Sequence, residues 1–238
     1  MNTAVFDIET GPRPNEELAS MMPEFTAPKN YKDQAKILEY IEAERKEWLE
    51  KAALSPVTGR VLAIGVKTSS GSEIFCDDEK TALVAFWAKV VELGRARVQL
   101  AGFNCYRFDL PFLVRRSWLH GVAVPDGVQD ARGYFNRIHF ADLYEAWQCG
   151  DKGASISLDS LAKYLGVGAK TGEGAHFAAL WATERKLALA YLENDLALTE
   201  GVARRLGVWV DGEKAPAKNP TVETLMAAPA TPDAEEDY

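Results

Sequence analysis

Three apolar-rich runs near the start of the chain predict β-strands, over residues 3–8, 60–67 and 72–76. A small polar cluster at residues 68–71 separates the second run from the third and indicates a hairpin turn between them. A long insertion, from Pro12 to about Pro56, separates the first strand from this hairpin.

The insertion carries the residue spacing of a helix. Ile37, Ile41 and Trp48 recur at helical intervals among Glu and Lys residues, and Asp33 stands where an N-cap is expected. We therefore expect an amphipathic helix with a proline-rich lead-in, rather than a disordered loop.

The rest of the chain alternates between strand and helix patterns. We expect, in order, a helix over 77–93, a strand over 98–104, a helix that begins near Leu110, a strand over 137–143, a short helix over 157–165 and a long helix over 184–206. Strands interleaved with helices, with an antiparallel hairpin early, predict an α/β protein with a mixed central β-sheet flanked by helices.

The long helix has one apolar side that an acidic residue interrupts. This side includes Leu187, Tyr191 and Leu198, and Asp195 lies on it too. A carboxylate in such a position requires a partner or a function.

The composition is that of an ordinary globular protein with an atypical end. Of the 238 residues, 47% are hydrophobic and 26% are charged, which suffices for a large domain with a well-buried core. From residue 211 onward the chain is rich in Ala, Pro, Thr and acidic residues, with prolines spaced so that no helix can run far. We expect one folded domain over 1–210, which includes the insertion at 12–56, and a disordered tail over 211–238.

The formal net charge of −8 argues against a simple basic-patch binder of nucleic acid, because such a protein neutralises phosphates with its own Lys and Arg residues. The tail over 211–238 holds seven acidic residues and two lysines, a net charge of −5, so residues 1–210 carry −3. The charge of the predicted domain is therefore only mildly negative.

The sequence also bears on the compartment. It has no run of about 18 apolar residues, so we expect no membrane span. Met1 leads directly into the first strand, without the basic and apolar stretches of a secretory signal. Cys76, Cys105 and Cys149 are odd in number and widely separated, so we expect free thiols and a cytoplasmic protein.

Two carboxylates stand at the carboxyl end of the first strand. Asp7 and Glu9 are two residues apart, so both side chains point to the same face. Carboxylates this close repel each other unless a cation or a proton lies between them, and hard oxygen ligands suit Mg²⁺ or Mn²⁺. A solvated strand edge without a metal is the alternative.

Two further elements carry acidic residues. Asp109 lies between a strand and a helix, where metal ligation and helix capping are both possible explanations. Tyr191 and Asp195 are four residues apart in the long helix, which places them on one face, one turn apart. A core tyrosine beside a surface aspartate is the alternative for this pair. The occurrence of all these elements in one chain, in this order, favours a catalytic interpretation.

These residues resemble the three sequence motifs of the DEDD superfamily of 3′–5′ exonucleases. Residues 6–10 match the first motif, residues 104–109 match the second, and Tyr191 with Asp195 matches the third in its tyrosine variant, DEDDy. The stretch over 102–113 is most similar to the proofreading domain of B-family DNA polymerases. The chain as a whole is similar to stand-alone exonucleases of this type in bacteria and phages, and the resemblance implies a ribonuclease H-like fold.

The resemblance also implies a metal site with two Mg²⁺ or Mn²⁺ ions as cofactors. Asp7, Glu9 and Asp195 would bind one ion, and Asp7 and Asp109 would bind the other, with Asp109 acting partly through water. Tyr191 would orient the attacking water or help to deprotonate it. A phenol with a pKa near 10 is a poor base, so the ions would do most of the activation. Two divalent ions would also change the net charge of residues 1–210 from −3 to +1.

Further residues are candidates for substrate contacts, namely Thr10, Asn104, Phe108 and Lys170. In relatives, the positions of Thr10 and Asn104 lie near the terminal nucleotide, but turn formation and strand-end hydrogen bonds also explain these residue types. Lys170 either contacts a substrate phosphate or is a solvated loop lysine. Asp142 either supports the metal site or is the partner of a buried Arg or of a helix end.

We therefore predict an enzyme, a metal-dependent 3′–5′ exonuclease that releases nucleoside 5′-monophosphates from the 3′ end of DNA, with single-stranded DNA as the expected substrate. One alternative is an exoribonuclease with the same site. Another is a non-catalytic nucleic-acid-binding module that keeps the fold. A polymerase or a helicase is a conceivable protein partner, but no sequence feature identifies one.

Overall fold

A computed structural model describes residues 2–129, 139–171 and 177–209 of the chain. The predicted tail over 211–238 lies outside the described residues, as does the beginning of the strand predicted over 137–143.

Strands and helices alternate along most of the described chain. The strands are β1 Asn2–Pro12, β2 Gly59–Thr68, β3 Gly71–Phe75, β4 Val98–Gly102 and β5 Phe140–Asp142. The helices are α1 Asn15–Ala19, α2 Gln34–Lys51, α3 Glu79–Arg95, α4 Asp109–His120, α5 Leu143–Gln148, α6 Leu158–Tyr164, α7 Phe177–Thr183 and α8 Arg185–Arg205, with a 3₁₀ turn over Ala52–Leu54.

The strands form one mixed sheet in the order β3-β2-β1-β4-β5. β1 lies at its centre, antiparallel to β2 and parallel to β4, and β5 continues the sheet parallel to β4. β2 and β3 form the predicted hairpin, closed at residues 68–71. The prediction of a mixed α/β sheet flanked by helices is confirmed.

Helices cover both faces of this sheet, and the two core clusters show on which face Asp7 and Glu9 lie. On one face, α3 and α4 belong to the same core cluster as Phe6 and Ile8 of β1. On the other face, Val5 belongs to a cluster formed with α6 and α8. Because side chains alternate along a strand, Asp7 and Glu9 share the face of Val5 and point toward α8.

A glycine in β2 lets α8 lie close to the sheet. Gly65 is the partner of Asp7 in the register between β1 and β2. A Cβ atom at Gly65 would lie only 2.6 Å from Leu196 Cδ1 and 3.3 Å from Leu192 Cδ1, both on α8. The missing side chain therefore allows α8 to pack directly beside Asp7.

Two strands end earlier than the sequence predicts. β4 stops at Gly102, because the chain turns at Asn104, whose backbone has a φ of 59°. β5 stops at Asp142, whose side chain accepts a hydrogen bond from the Tyr144 N–H and caps α5, so Leu143 is helical rather than extended.

Leu187 does not belong to the buried side of the long helix, contrary to the prediction. Its side chain is 53% exposed, whereas Ala188 and Leu192 are fully buried. The buried side of α8 is therefore centred on those residues, and Leu187 lies beyond its margin.

The insertion contains the predicted helix α2, with Asp33 as its N-cap. The Asp33 carboxylate accepts a hydrogen bond from the Ala35 N–H at 2.9 Å. No residue of α2 is buried, although Tyr40 packs edge-on against Tyr31 of the lead-in, with ring centroids 5.7 Å apart. The helix is confirmed, but it contributes no residue to either core cluster.

The cysteines are unpaired, as the sequence predicts. Cys105 is buried and Cys149 is exposed. Within the ranges that the structure describes, no helix is both long and apolar enough to cross a bilayer.

A buried ion pair ties the end of the insertion to the domain. Glu79, the first residue of α3, accepts hydrogen bonds from Arg116 Nε at 2.7 Å, from Arg116 Nη2 at 2.6 Å and from the Val61 N–H at 2.7 Å. The Arg116 side chain is 3% exposed and also donates to the Pro56 carbonyl. Burial raises the pKa of Glu79. The hydrogen bonds from Arg116 and Val61, together with one from His120, outweigh the effect of burial, so the pKa of Glu79 lies below its usual value.

Removal of this carboxylate should destabilise the fold. Glu79→Ala leaves the buried Arg116 guanidinium without its anion, so we expect the free energy of unfolding to fall by about 3–5 kcal/mol. Urea denaturation followed by circular dichroism measures the change. Glu73→Ala is the control, because Glu73 forms an exposed pair with Lys89 at 2.9 Å and its loss should cost less than about 1 kcal/mol. Equal losses of stability in both variants would contradict a special stabilising role of the buried Glu79–Arg116 pair.

Candidate active site

A cleft of about 750 Å³ opens over residues 7–9 of β1, past the part of the strand that pairs with β4, and β1 continues to Pro12 beyond the strand end predicted at residue 8. The walls of the cleft come from β1, from the loop between β4 and α4, from α6 and the segment after it, and from α8. Five carboxylates line it, those of Asp7, Glu9, Asp109, Asp159 and Asp195. The structure thus brings together all four acidic residues that the sequence singled out.

Three of these carboxylates form the tightest group. One oxygen each of Asp7, Glu9 and Asp195 lies within 4.8 Å of the others. Glu9 is 7% exposed and Asp195 only 1%, while Asp7 is half-buried. A shift in the β1–β2 register falls between Glu9 and Thr10, so the regular pairing of β1 with β2 extends just far enough to place both acidic residues on one face.

Burial and mutual repulsion raise the pKa values of these carboxyls. Burial, followed by the charge of Asp195, raises the pKa of Asp7 to about 7. Burial, followed by the charges of Asp7 and Asp195, raises the pKa of Glu9 to about 9. The group therefore retains protons near neutral pH, as closely spaced carboxylates do when no cation lies between them.

Asp195 has one engaged oxygen and one open oxygen. Its Oδ2 forms an ion pair with Lys170 Nζ. Its Oδ1 is buried, and among the described residues it has no hydrogen-bond partner. A buried acceptor without a partner costs about 1–3 kcal/mol. The same carboxylate belongs to the group formed with Asp7 and Glu9, where a cation would offset the charge of all three.

Tyr191 precedes Asp195 by one turn of α8 and contributes to the wall of the cleft. It is 5% exposed, and its ring packs against Phe177 with centroids 6.0 Å apart. Lys170 Nζ lies 3.3 Å from the hydroxyl. Burial, followed by the charge of Asp195, raises the pKa of Tyr191 to about 12. At neutral pH the hydroxyl is therefore protonated and can donate a hydrogen bond.

Asp109 is the first residue of α4 and is 4% exposed. The N-cap position belongs to Phe108, so the explanation of Asp109 as a helix cap is wrong. Burial, followed by the charge of Asp7, raises the pKa of Asp109 well above its usual value, and the Ile8 backbone N–H lowers the pKa of both aspartates. The two carboxylates therefore share a neighbouring donor.

The candidates for substrate contacts divide into two groups. Asn104, Phe108 and Lys170 line the cleft, whereas Thr10 is not among the described residues that do so. The interpretation of Lys170 as a solvated loop lysine is wrong, because its ammonium group contacts both Asp195 and Tyr191.

The cleft also contains residues that sequence reasoning missed, among them Phe103, Ser157, Asp159 and Lys163. Asp159 Oδ1 accepts a hydrogen bond from the Lys170 N–H at 2.9 Å and so anchors the segment that carries Lys170. The spacing of Asp159 and Lys163, four residues apart at the predicted short helix, was the available signal that they share a side.

Comparison with solved structures identifies the fold. The structure of the family B DNA polymerase from the hyperthermophilic archaeon Pyrobaculum calidifontis matches with a TM-score of 0.54 and 21% sequence identity, over 86% of this chain and 24% of the polymerase chain. The chain thus spans about a quarter of that polymerase's length. This likeness confirms the predicted ribonuclease H-like α/β fold. No curated protein matches the sequence significantly.

Comparison with protein families is more specific. The family described as "Predicted 3'-5' exonuclease related to the exonuclease domain of PolB" matches residues 60–200. This range contains Asp109 and the Tyr191–Asp195 pair, whereas Asp7 and Glu9 precede it. Because the match covers more than half of the chain, the protein belongs to this family of predicted 3′–5′ exonucleases related to the exonuclease domain of PolB.

Proposed function

We propose that the protein is a two-metal-ion 3′–5′ exonuclease that removes nucleoside 5′-monophosphates from the 3′ end of DNA. The observation that carries this proposal is the buried group of Asp7, Glu9 and Asp195, whose carboxylate oxygens lie within 4.8 Å of one another. Membership of the exonuclease family supplies the class of reaction.

The chemistry of the site fits divalent cations. All the donors are carboxylate oxygens, the hard ligands that Mg²⁺ and Mn²⁺ prefer. Asp195, which belongs to the group with Asp7 and Glu9, has a buried Oδ1 without a hydrogen-bond partner among the described residues. Asp7, Glu9 and Asp195 would hold one ion, and Asp7 with Asp109 would hold the second. The raised pKa values of Asp7 and Glu9 indicate that Lys170 alone does not neutralise the group.

Bound ions would neutralise the scissile phosphate, activate water and stabilise the leaving 3′ oxygen in an in-line displacement. The contribution of the chain is to hold the ligands in place before substrate arrives. β1 pairs with β2 at Asp7 and Glu9, and with β4 over its preceding residues 2–5, which fixes the strand that carries both carboxylates. Asp195 is fixed by its position on the buried side of α8. Preorganised charges on buried side chains act more strongly than the same charges in water.

Tyr191 and Lys170 complete the proposed machinery. With a pKa of about 12, Tyr191 orients the attacking water by donating a hydrogen bond rather than by taking its proton. Lys170 contacts Asp195 and Tyr191 together, and its positive charge lines the cleft that the substrate phosphate would enter.

The opposite wall is suited to the terminal nucleotide. Phe108 offers an aromatic ring on which a base can stack, and Asn104 offers a side-chain amide for hydrogen bonds. A DNA substrate is supported by the relation of the family to the exonuclease domain of a DNA polymerase. An unpaired 3′ end fits this open cleft, because it reaches the ions without prior melting of a duplex.

Digestion of an oligonucleotide tests the proposal. With Mg²⁺ or Mn²⁺, the protein is expected to shorten 5′-labelled single-stranded DNA stepwise from its 3′ end, as a ladder on a denaturing gel. Asp7→Ala and Asp195→Ala should abolish the ladder, because each removes a metal ligand. Glu92→Ala, an exposed carboxylate on α3 at the other face of the sheet, should leave it unchanged.

Other outcomes of the same digestion would redirect the proposal. A ladder that persists in both aspartate variants would overturn the two-metal assignment. Faster cleavage of a matched RNA oligonucleotide would identify an exoribonuclease. Binding of 3′ ends without cleavage would identify a non-catalytic module.

The pKa of Glu9 predicts how pH affects the stability of the metal-free protein. The folded value of about 9 exceeds the ordinary value of 4.5, so between these pH values the folded protein binds more protons than the unfolded chain. Its stability should therefore fall as the pH rises through this window. Glu9→Gln removes the effect and should raise the free energy of unfolding at pH 8, in EDTA, by about 1–3 kcal/mol.

Thermal unfolding at pH 5.5 and pH 8 measures this difference. Excess Mg²⁺ should stabilise the parent protein at pH 8 more than it stabilises Glu9→Gln, since the variant lacks one ligand. A parent protein that is as stable in EDTA at pH 8 as the variant would contradict the prediction.

Lys170→Met tests the role of the lysine in the cleft. Loss of the cation should lower kcat by about 10²-fold, by analogy with the removal of other preorganised electrostatic groups. Lys67→Met is a matched control, because Lys67 is similarly exposed and also pairs with a carboxylate of α8, Glu200, at 3.2 Å. Steady-state kinetics should leave the control within about twofold of the parent. Equal losses in the two variants would contradict a specific role.

A further inference from the structure

Asp142 is a buried carboxylate that lies outside the metal-ligating group. It is 6% exposed and is not among the described residues that line the cleft. Its Oδ1 accepts hydrogen bonds from the N–H groups of Asn104 and Tyr144, each at 2.9 Å, and its Oδ2 accepts one from the Tyr106 N–H at 3.0 Å. Only Tyr144 belongs to the helix that Asp142 caps. The other two donors lie in the loop between β4 and α4.

This loop has a backbone conformation that needs support. Asn104 has a φ of 59°, in the left-handed region that residues other than glycine seldom adopt. The Asn104 carbonyl accepts hydrogen bonds from the N–H groups of Arg107 and Phe108, both at 3.1 Å. The conformation of Asn104 therefore determines where Phe108 stands, and the Asp142 carboxylate holds Asn104.

Additional contacts tie the loop to the same corner of the fold. The Tyr106 hydroxyl donates to the Phe140 carbonyl at 2.8 Å. The Phe103 ring packs edge-on against Tyr144, with centroids 5.7 Å apart. All these contacts are made with β5 or with the start of α5, so this corner, which includes Asp142, sets the position of the loop.

The helix that carries Asp109 has an anchor of its own. Arg116, two turns further along α4, is bound to Glu79. Loss of the Asp142 carboxylate should therefore release the loop more than it releases Asp109.

We propose that Asp142 is a positioning residue for the exonuclease reaction: it holds the loop over residues 103–108 so that Asn104 and Phe108 meet the 3′-terminal nucleotide. The inference rests on the proposed function and deepens it, because it names the residue that holds the nucleotide-binding loop in place. That residue would contact neither the metal ions nor the substrate.

Asp142→Ser separates this role from helix capping. Serine is a favourable N-cap, so α5 keeps its cap, but one short hydroxyl cannot bridge two segments as the carboxylate does. We expect kcat/KM on single-stranded DNA to fall by about tenfold or more, mainly through a higher KM, with kcat within about threefold of the parent. Asp142→Asn, which replaces one acceptor by an amide donor, should change KM in the same direction and serves if the serine variant does not fold.

Asp78→Ala is the matched control. Asp78 caps α3 by accepting a hydrogen bond from the Thr81 N–H at 3.2 Å, away from the cleft. This variant should lose thermal stability because α3 loses its N-cap, yet it should retain the kcat/KM of the parent. A folded Asp142→Ser protein with the kinetic constants of the parent would show that Asp142 is a helix cap only, and would overturn the inference.

A binding measurement separates failure of this inference from failure of the proposed function. Fluorescence anisotropy of a 5′-labelled single strand, with Ca²⁺ in place of Mg²⁺, should show about tenfold weaker binding to Asp142→Ser than to the parent. A parent that binds but never cleaves contradicts the exonuclease proposal, and weaker binding by the variant still supports the role of Asp142. Equal binding by the two proteins, or no binding by the parent, overturns it.

Discussion

The close burial of several carboxylates is the constraint on which the rest of the structure depends. The carboxylates of Asp7, Glu9 and Asp195 lie close together, and their removal from water opposes their ionisation first, with their mutual repulsion adding to it. The chain compensates only in part, through the Lys170 ion pair and the backbone N–H of Ile8. A structure that kept these side chains together without a ligand would be more stable with neutral residues in their place.

Strand order and helix packing hold the group together against that repulsion. β1 is the central strand, so its neighbours fix its backbone on both sides. Gly65, opposite Asp7, leaves the space that Leu196 of α8 occupies, and Asp195 precedes Leu196 directly. The carboxylates of β1 and α8 thus approach each other at a position where a glycine leaves room for the helix. A methyl group at this position would push against the helix that carries Asp195.

The sequence predicts the parts of this arrangement that local patterns encode. The apolar run around Asp7 and Glu9, and the helical spacing of Tyr191 and Asp195, were enough to place those residues on a strand and on a helix. The contact of Lys170 with Asp195 could not be read in this way, because Lys170 follows a short helix in a segment without periodicity. The role of Asp142 depends on Asn104, 38 residues away in the chain, and therefore on the parallel pairing of β4 with β5.

An acidic protein can still bind the proposed DNA substrate, because the carboxylates that make its cleft negative are also the groups proposed to hold metal ions. Without cations, a cleft lined by five carboxylates and two lysines, each lysine paired with one of those carboxylates, repels the phosphates of DNA. Divalent ions bound in that cleft, as proposed, would neutralise their ligands and present positive charge to the substrate, so the proposal requires no basic surface elsewhere. Binding of ions and binding of DNA would then be linked, and such linkage is reciprocal. DNA at the cleft would therefore raise the affinity for the ions by the same factor by which the ions raise the affinity for DNA.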